Sequence, residues 1–68
     1  MKVTVNGTDH EVASGATVAS LLDAIGVGAS TSGVAVAVDG AVVPRSAWAD
    51  EALAPGAVIE IVTATQGG

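Results

Sequence analysis

Only one stretch of this chain spaces its apolar residues at the interval of a helix. Val18, Leu21, Leu22 and Ile25 fall at i, i+3, i+4 and i+7, which puts four branched side chains on a single stripe. Thr17 stands where an N-cap hydroxyl accepts from the first free amides, and Gly26 where a left-handed residue ends the helix. Elsewhere the apolar residues mostly alternate with polar or small ones, the two-residue period of a strand with one face buried. With 68 residues and one short helix, the stripe has to be hidden against one face of one sheet. The class is α+β.

The strands follow from turn chemistry. Lys2 to Asn6 alternates and runs into Asn6-Gly7, a pair that supplies positive φ at both central positions of a two-residue hairpin turn; the return strand is expected over Thr8 to Ala13, ending at Ser14-Gly15. After the helix comes a polar loop, GASTSG at 28–33, and then VAVAV at 34–38 with Val34, Val36 and Val38 set against Ala35 and Ala37. Asp39-Gly40 predicts a second hairpin, whose return strand Ala41 to Val43 is stopped by Pro44. Arg45 to Leu53 suits a short helical turn, Pro55-Gly56 a reverse turn, and Val58 to Ala64 a last strand with Ile59 and Ile61 on one side and Val58, Glu60 and Val62 on the other. Hairpin, helix, hairpin, short turn and strand make a β-grasp (ubiquitin-like) pattern, a mixed sheet of about five strands with one main helix on one face. Residues 1–64 form that domain, and 65–68 are expected to be a flexible C-terminal Gly-Gly tail.

Composition limits what such a domain does. The apolar half of the chain is 14 Ala and 12 Val against 3 Leu, 3 Ile and 1 Trp, with no Phe or Tyr. The core is therefore thin, and Leu21 and Leu22 are its expected anchors. With no cysteine there is no disulfide, thiolate nucleophile or zinc-thiolate site. A formal charge of -5 repels a phosphate backbone or an anionic leaflet, so neither nucleic acid nor membrane is the expected partner; a basic groove on another protein attracts this surface. The opening MKVTVNGTDHEV alternates and lacks the apolar run of a signal peptide. The expected location is cytoplasmic.

No residue set makes a catalytic site. His10, the only imidazole, sits between Asp9 and Glu11 in the first hairpin, where a solvated strand position accounts for it. The acids at 9, 11, 23, 39, 50, 51 and 60 show no ligand spacing, so no metal site is expected. The GASTSG loop follows a helix instead of opening one and has no lysine, which fits a connector better than a phosphate cradle. Trp48 is expected to cap a satellite cluster with its N–H near water, and Asp50 and Glu51 near Arg45 to form a solvated charge patch.

The end of the chain is different. Val62-Thr63-Ala64 runs into Thr65-Gln66-Gly67-Gly68. A glycine pair at a chain end often marks nothing more than fraying. Glycine lacks a Cβ, however, so an extended Gly-Gly tail passes through a slot too narrow for side chains and presents an unhindered carboxylate. The five residues from Ala64 reach up to about 17 Å, enough to enter another protein's active site while the body stays outside. On this reading the tail is a substrate, with Gly68 the reacting residue and Gly67 and Gln66 its leader.

The chain as a whole resembles the ThiS-type sulfur carriers of thiamin biosynthesis, within the ubiquitin-like β-grasp family. The resemblance rests on the opening VTVNG, the helical GATVASLLDAIGV, VAVAVDGAVVPRSAW and the closing IEIVTATQGG. The VPRSAW stretch and the QGG end are its most specific parts; the serine-rich GASTSG loop has no counterpart in it. The resemblance implies a carrier and not an enzyme: the Gly68 carboxylate is adenylated by an E1-like enzyme that consumes ATP, becomes a thiocarboxylate through a sulfur-transfer protein, and gives sulfur to thiazole synthase. The chain would hold no cofactor of its own. Alternatives are a carrier for another pathway, such as the small subunit of molybdopterin synthase, a ubiquitin-like modifier ending on a lysine amine, or a binding module with an incidental Gly-Gly. For a carrier, the activating enzyme is expected to grip the sheet face opposite the helix. Alternation places Thr4, Ala35, Ala37, Val58 and Val62 there, with Glu60 the only charge among them. Val62, Ala35 and Ala37 are its nominated contacts.

Overall fold

The computed structural model describes residues 1–27 and 33–63. Its elements are β1 (Lys2–Val5), β2 (Thr8–Glu11), α1 (Val18–Ala24), β3 (Val34–Val38), β4 (Ala41–Val43), a 3-10 turn at Arg45–Ala47 and β5 (Val58–Thr63). The five strands form one sheet in the order β2-β1-β5-β3-β4. β1 and β5 are parallel and every other pair is antiparallel. This is the β-grasp arrangement expected from the sequence, with the last strand inserted between the two hairpins.

Both hairpins turn as their dipeptides require. Asn6 and Gly7 have φ of 49° and 82°, Asp39 and Gly40 50° and 85°, the doubly positive geometry whose twist matches the flanking strands. The first return strand ends at Glu11, two residues earlier than expected. The helix begins after Thr17 as read; Thr17 Oγ1 accepts from the Ser20 amide at 3.2 Å and Ser20 Oγ accepts from the Thr17 amide at 2.8 Å, a reciprocal capping box. Gly26, at φ 85°, follows the helix end.

The segment 45–53 departs from its expectation of a helical turn: only Arg45–Ala47 is helical, as one 3-10 turn. The reason lies in where its carbonyls go. Glu51 O accepts from the Val18 amide at 3.0 Å and Trp48 O from the Ala19 amide at 3.1 Å, while the Leu53 amide donates to Ala16 O at 2.8 Å. The first amides of α1 have no partner within the helix, and this segment continues through turns at 48–50 past the helix entrance to supply them, with one bridge between Thr17 and Ala52. A longer local helix would have consumed the same carbonyls.

The core lies between α1 and the inner face of the sheet: Val3, Val5, Val18, Leu21, Leu22, Val36, Val43, Trp48, Leu53, Ala57 and Ile59. Leu21 and Leu22 are the anchors expected of them. Trp48 is not the half-wet cap that its single ring implied. It is 2% exposed and belongs to the main core, with Nε1 donating to Val43 O at 2.8 Å. The indole packs into this core beside the end of β4, where the Val43 carbonyl satisfies its N–H. Arg45 lies over the ring, 5.2 Å from its centroid.

Candidate functional site

Gln66, Gly67 and Gly68, the expected site residues, lie outside the described residues, as do the 64/65 domain boundary and residues 28–32 of the GASTSG loop. What the structure describes is the platform from which the tail departs. β5 is the middle strand, bonded to β1 along its first half and to β3 along its whole length: Val38 pairs with Ile59, Ala37 with Glu60, Val36 with Ile61, Ala35 with Val62 and Val34 with Thr63. The tail thus leaves from the most constrained strand of the sheet.

The face away from α1 carries the residues nominated for partner contact. Val62 is 63% exposed and stands directly across from Ala35, which is also exposed; Ala37 is half-buried between Glu60 and Val42. Val58, 48% exposed, stands beside Thr4. The sequence reading missed Val42, the most exposed large apolar residue described, at 76%. The signal was present: a two-residue turn at 39–40 puts Val42 opposite Ala37, hence on the same face. Glu60 is not the only charge on this face. The β1–β2 end adds Lys2 and Asp9, whose Nζ and Oδ2 lie 3.9 Å apart, and Thr4 Oγ1 donates to Asp9 Oδ1 at 3.3 Å. The face is therefore divided: an apolar area on β3, β4 and β5, and a polar one on β1 and β2.

Elsewhere the described residues offer little chemistry. His10 is half-buried on β2 opposite Val3. No cluster of three or more His, Cys, Asp or Glu among the described residues is placed to hold a metal ion. A groove between α1 and the segment Glu11–Ala16 is lined mainly by small and apolar side chains. No helix among the described residues is long and apolar enough to cross a membrane.

With the fold and its exposed strand in place, the family model that matches this chain is that of the ThiS family, over residues 3–68. The chain belongs to the ThiS family. A crystal structure of the thiamine biosynthesis protein ThiS from Geobacter metallireducens is similar at 33% identity and a TM-score of 0.82, each chain covered in full. A solution structure of a thiamine biosynthesis protein from the same organism is similar at 32% identity and a TM-score of 0.78, covering all of this chain and 88% of the other. No curated protein matches the chain. Membership of the ThiS family supports a sulfur carrier role in thiamin biosynthesis, that of a small carrier protein working with adenylating and sulfur-transfer proteins.

Proposed function

We propose that this chain carries sulfur on its C-terminal carboxylate. An E1-like enzyme transfers AMP from ATP to the Gly68 carboxylate and releases pyrophosphate. A sulfide-equivalent nucleophile, brought by a sulfur-transfer protein, then forms a C–S bond as the C–O bond to AMP breaks. The product is a thiocarboxylate on Gly68, which donates its sulfur to thiazole synthase in the cytoplasm. A free carboxylate is a poor acyl donor and AMP a good leaving group, so the activation step is chemically required. Every catalytic group and the nucleotide belong to the partners; the carrier contributes a narrow tail, Gln66-Gly67-Gly68, and a surface to be held by.

The observation that carries this reading is the family match, which spans the fold and continues to Gly68. The open face supports it: Val62 on the strand that leads to the tail, Ala35 and Ala37 on β3 and Val42 on β4 form one apolar area. Removing Gly68 tests it. The shortened chain is expected to fold as the parent does and to give no ATP–pyrophosphate exchange with the activating enzyme. Exchange at the parental rate would mean that Gly68 is not the activated residue.

A further inference from the structure

The two hairpin turns hold β5 in a way their turn chemistry does not require. β1 ends at Val5, and its last backbone bond to β5 runs from the Asn6 amide to Ile59 O at 2.9 Å. The chain then turns away, yet the ladder continues for one more rung. Asn6 Oδ1 accepts from the Ile61 amide at 2.8 Å, and Asn6 Nδ2 donates to Ile61 O at 3.1 Å. A carboxamide has the same donor and acceptor as a peptide unit, so the side chain takes the place of the next residue of β1. At the other end of β5 the matching turn residue, Asp39, donates its amide to Val58 O at 2.7 Å and accepts from the Val58 amide through Oδ1 at 2.9 Å. Each turn thus grips one end of the strand.

The two grips differ in what lies beyond them. Asp39 holds the beginning of β5. Asn6 holds Ile61, next to Val62 and seven residues before Gly68. Past Ile61, the described part of β5 is paired with β3 through Val62 and Thr63, and the Asn6 carboxamide makes the last hydrogen bonds to β5 from the β1 side among the described residues. We propose that Asn6 is a positioning residue for the acyl-transfer chemistry of the tail: its side-chain amide fixes the exit of β5, so that a partner docked on the open face receives Gly68 at a set place. The inference rests on the carrier reading. An exit held on both sides restricts where the tail starts, and transfer rates depend steeply on such placement.

The test compares Asn6→Gly with Asp39→Gly. Both keep the positive φ that the turns need, and both remove a side-chain grip on the same strand, at opposite ends. In the isolated protein, Asn6→Gly should speed amide exchange at Ile61 by about tenfold or more relative to the core amides of Leu22 and Val36. In the activation assay it should lower turnover at saturating carrier by about tenfold with little change in KM, because placement and not docking is lost. Asp39→Gly should leave turnover within about twofold of the parent at similar melting temperature. Asn6→Asp keeps the acceptor for the Ile61 amide but loses the donor, and its turnover should fall between those of Asn6→Gly and the parent. If the parent itself is not activated, the carrier reading fails and takes this inference with it. If the parent is activated and the two glycine variants lose turnover equally, Asn6 is only a structural residue and the inference alone is overturned.

Discussion

Leu21 and Leu22 are adjacent on α1 and equally hidden, at 1% and 0% exposure, yet truncating them should not cost the same. Leucine to alanine preserves helix propensity, so the loss is one of packing. Such changes cost ~2 to 5 kcal/mol, and the spread depends on how far the site closes over the vacancy. Leu21 borders the groove between α1 and Glu11–Ala16, together with Ser20 and Ala24. Its removal enlarges a space already open to water, and the flanking loop can settle inward. Leu22 does not line that groove and is fully enclosed, so its removal leaves a void. We expect ~2 to 3 kcal/mol for Leu21→Ala and ~4 to 5 kcal/mol for Leu22→Ala. A domain this small has only ~3 to 5 kcal/mol in total. Leu21→Ala should therefore remain folded with a melting temperature lower by roughly 10 to 20 °C, while Leu22→Ala should be largely unfolded at room temperature. Urea titrations followed by circular dichroism and by the emission of Trp48, the sole tryptophan, would measure both. A Leu21→Ala protein that loses as much stability as Leu22→Ala would refute the argument from the groove.

Three other substitutions probe separate parts of the account. Thr17→Ala removes the Thr17 Oγ1 half of the capping box and keeps the bond from the residue-17 amide to Ser20 Oγ; it should cost about 1 kcal/mol, visible as a fall of a few degrees in melting temperature, and an unchanged melt would show that Ser20 Oγ, Glu51 O and Trp48 O secure the helix start without it. Trp48→Phe keeps an aromatic ring but removes the indole N–H that donates to Val43 O, and should cost about 1 to 3 kcal/mol by thermal melting. Val62→Asp places a charge at a position 63% exposed, so the melt should stay near the parent's while activation by the E1-like enzyme weakens at subsaturating carrier. A charge reversal at Asp9, on the same face but two strands away, is the control; equal effects at both positions would place the contact surface elsewhere.

Much of the architecture was readable because its signals are local. Asn6-Gly7 and Asp39-Gly40 admit few conformations other than tight hairpins, and a single 3.6-residue stripe in so short a chain leaves one place for the helix. The register of β3 against β4 follows from the turn length, and with it the position of Val42 opposite Ala37. What escaped was non-local. The 48–53 segment does not continue as a helix because the amides of Val18 and Ala19, some 30 residues away in sequence, take its carbonyls. Trp48 is buried among core residues drawn from the whole chain, with its N–H on Val43 O, an environment that VPRSAW alone does not specify. The grip of Asn6 on Ile61 spans 55 residues, and only the insertion of β5 beside β1 brings the two together. The candidate site divides in the same way: alternation identified Val62 and Ala35 as outward, whereas their direct pairing across β3 and β5 needed the fold.

The central claim is that Gly68 bears sulfur. Intact-mass analysis tests it most directly, after incubation of the full chain with ATP, the activating enzyme and a sulfur source, beside a chain lacking Gly68. The account predicts that the full chain gains the mass difference of one oxygen replaced by sulfur, only when ATP is present, with fragmentation placing the change on Gly68, and that the shortened chain is unaltered. A full chain that keeps its original mass while a known ThiS protein is converted in the same mixture would contradict it.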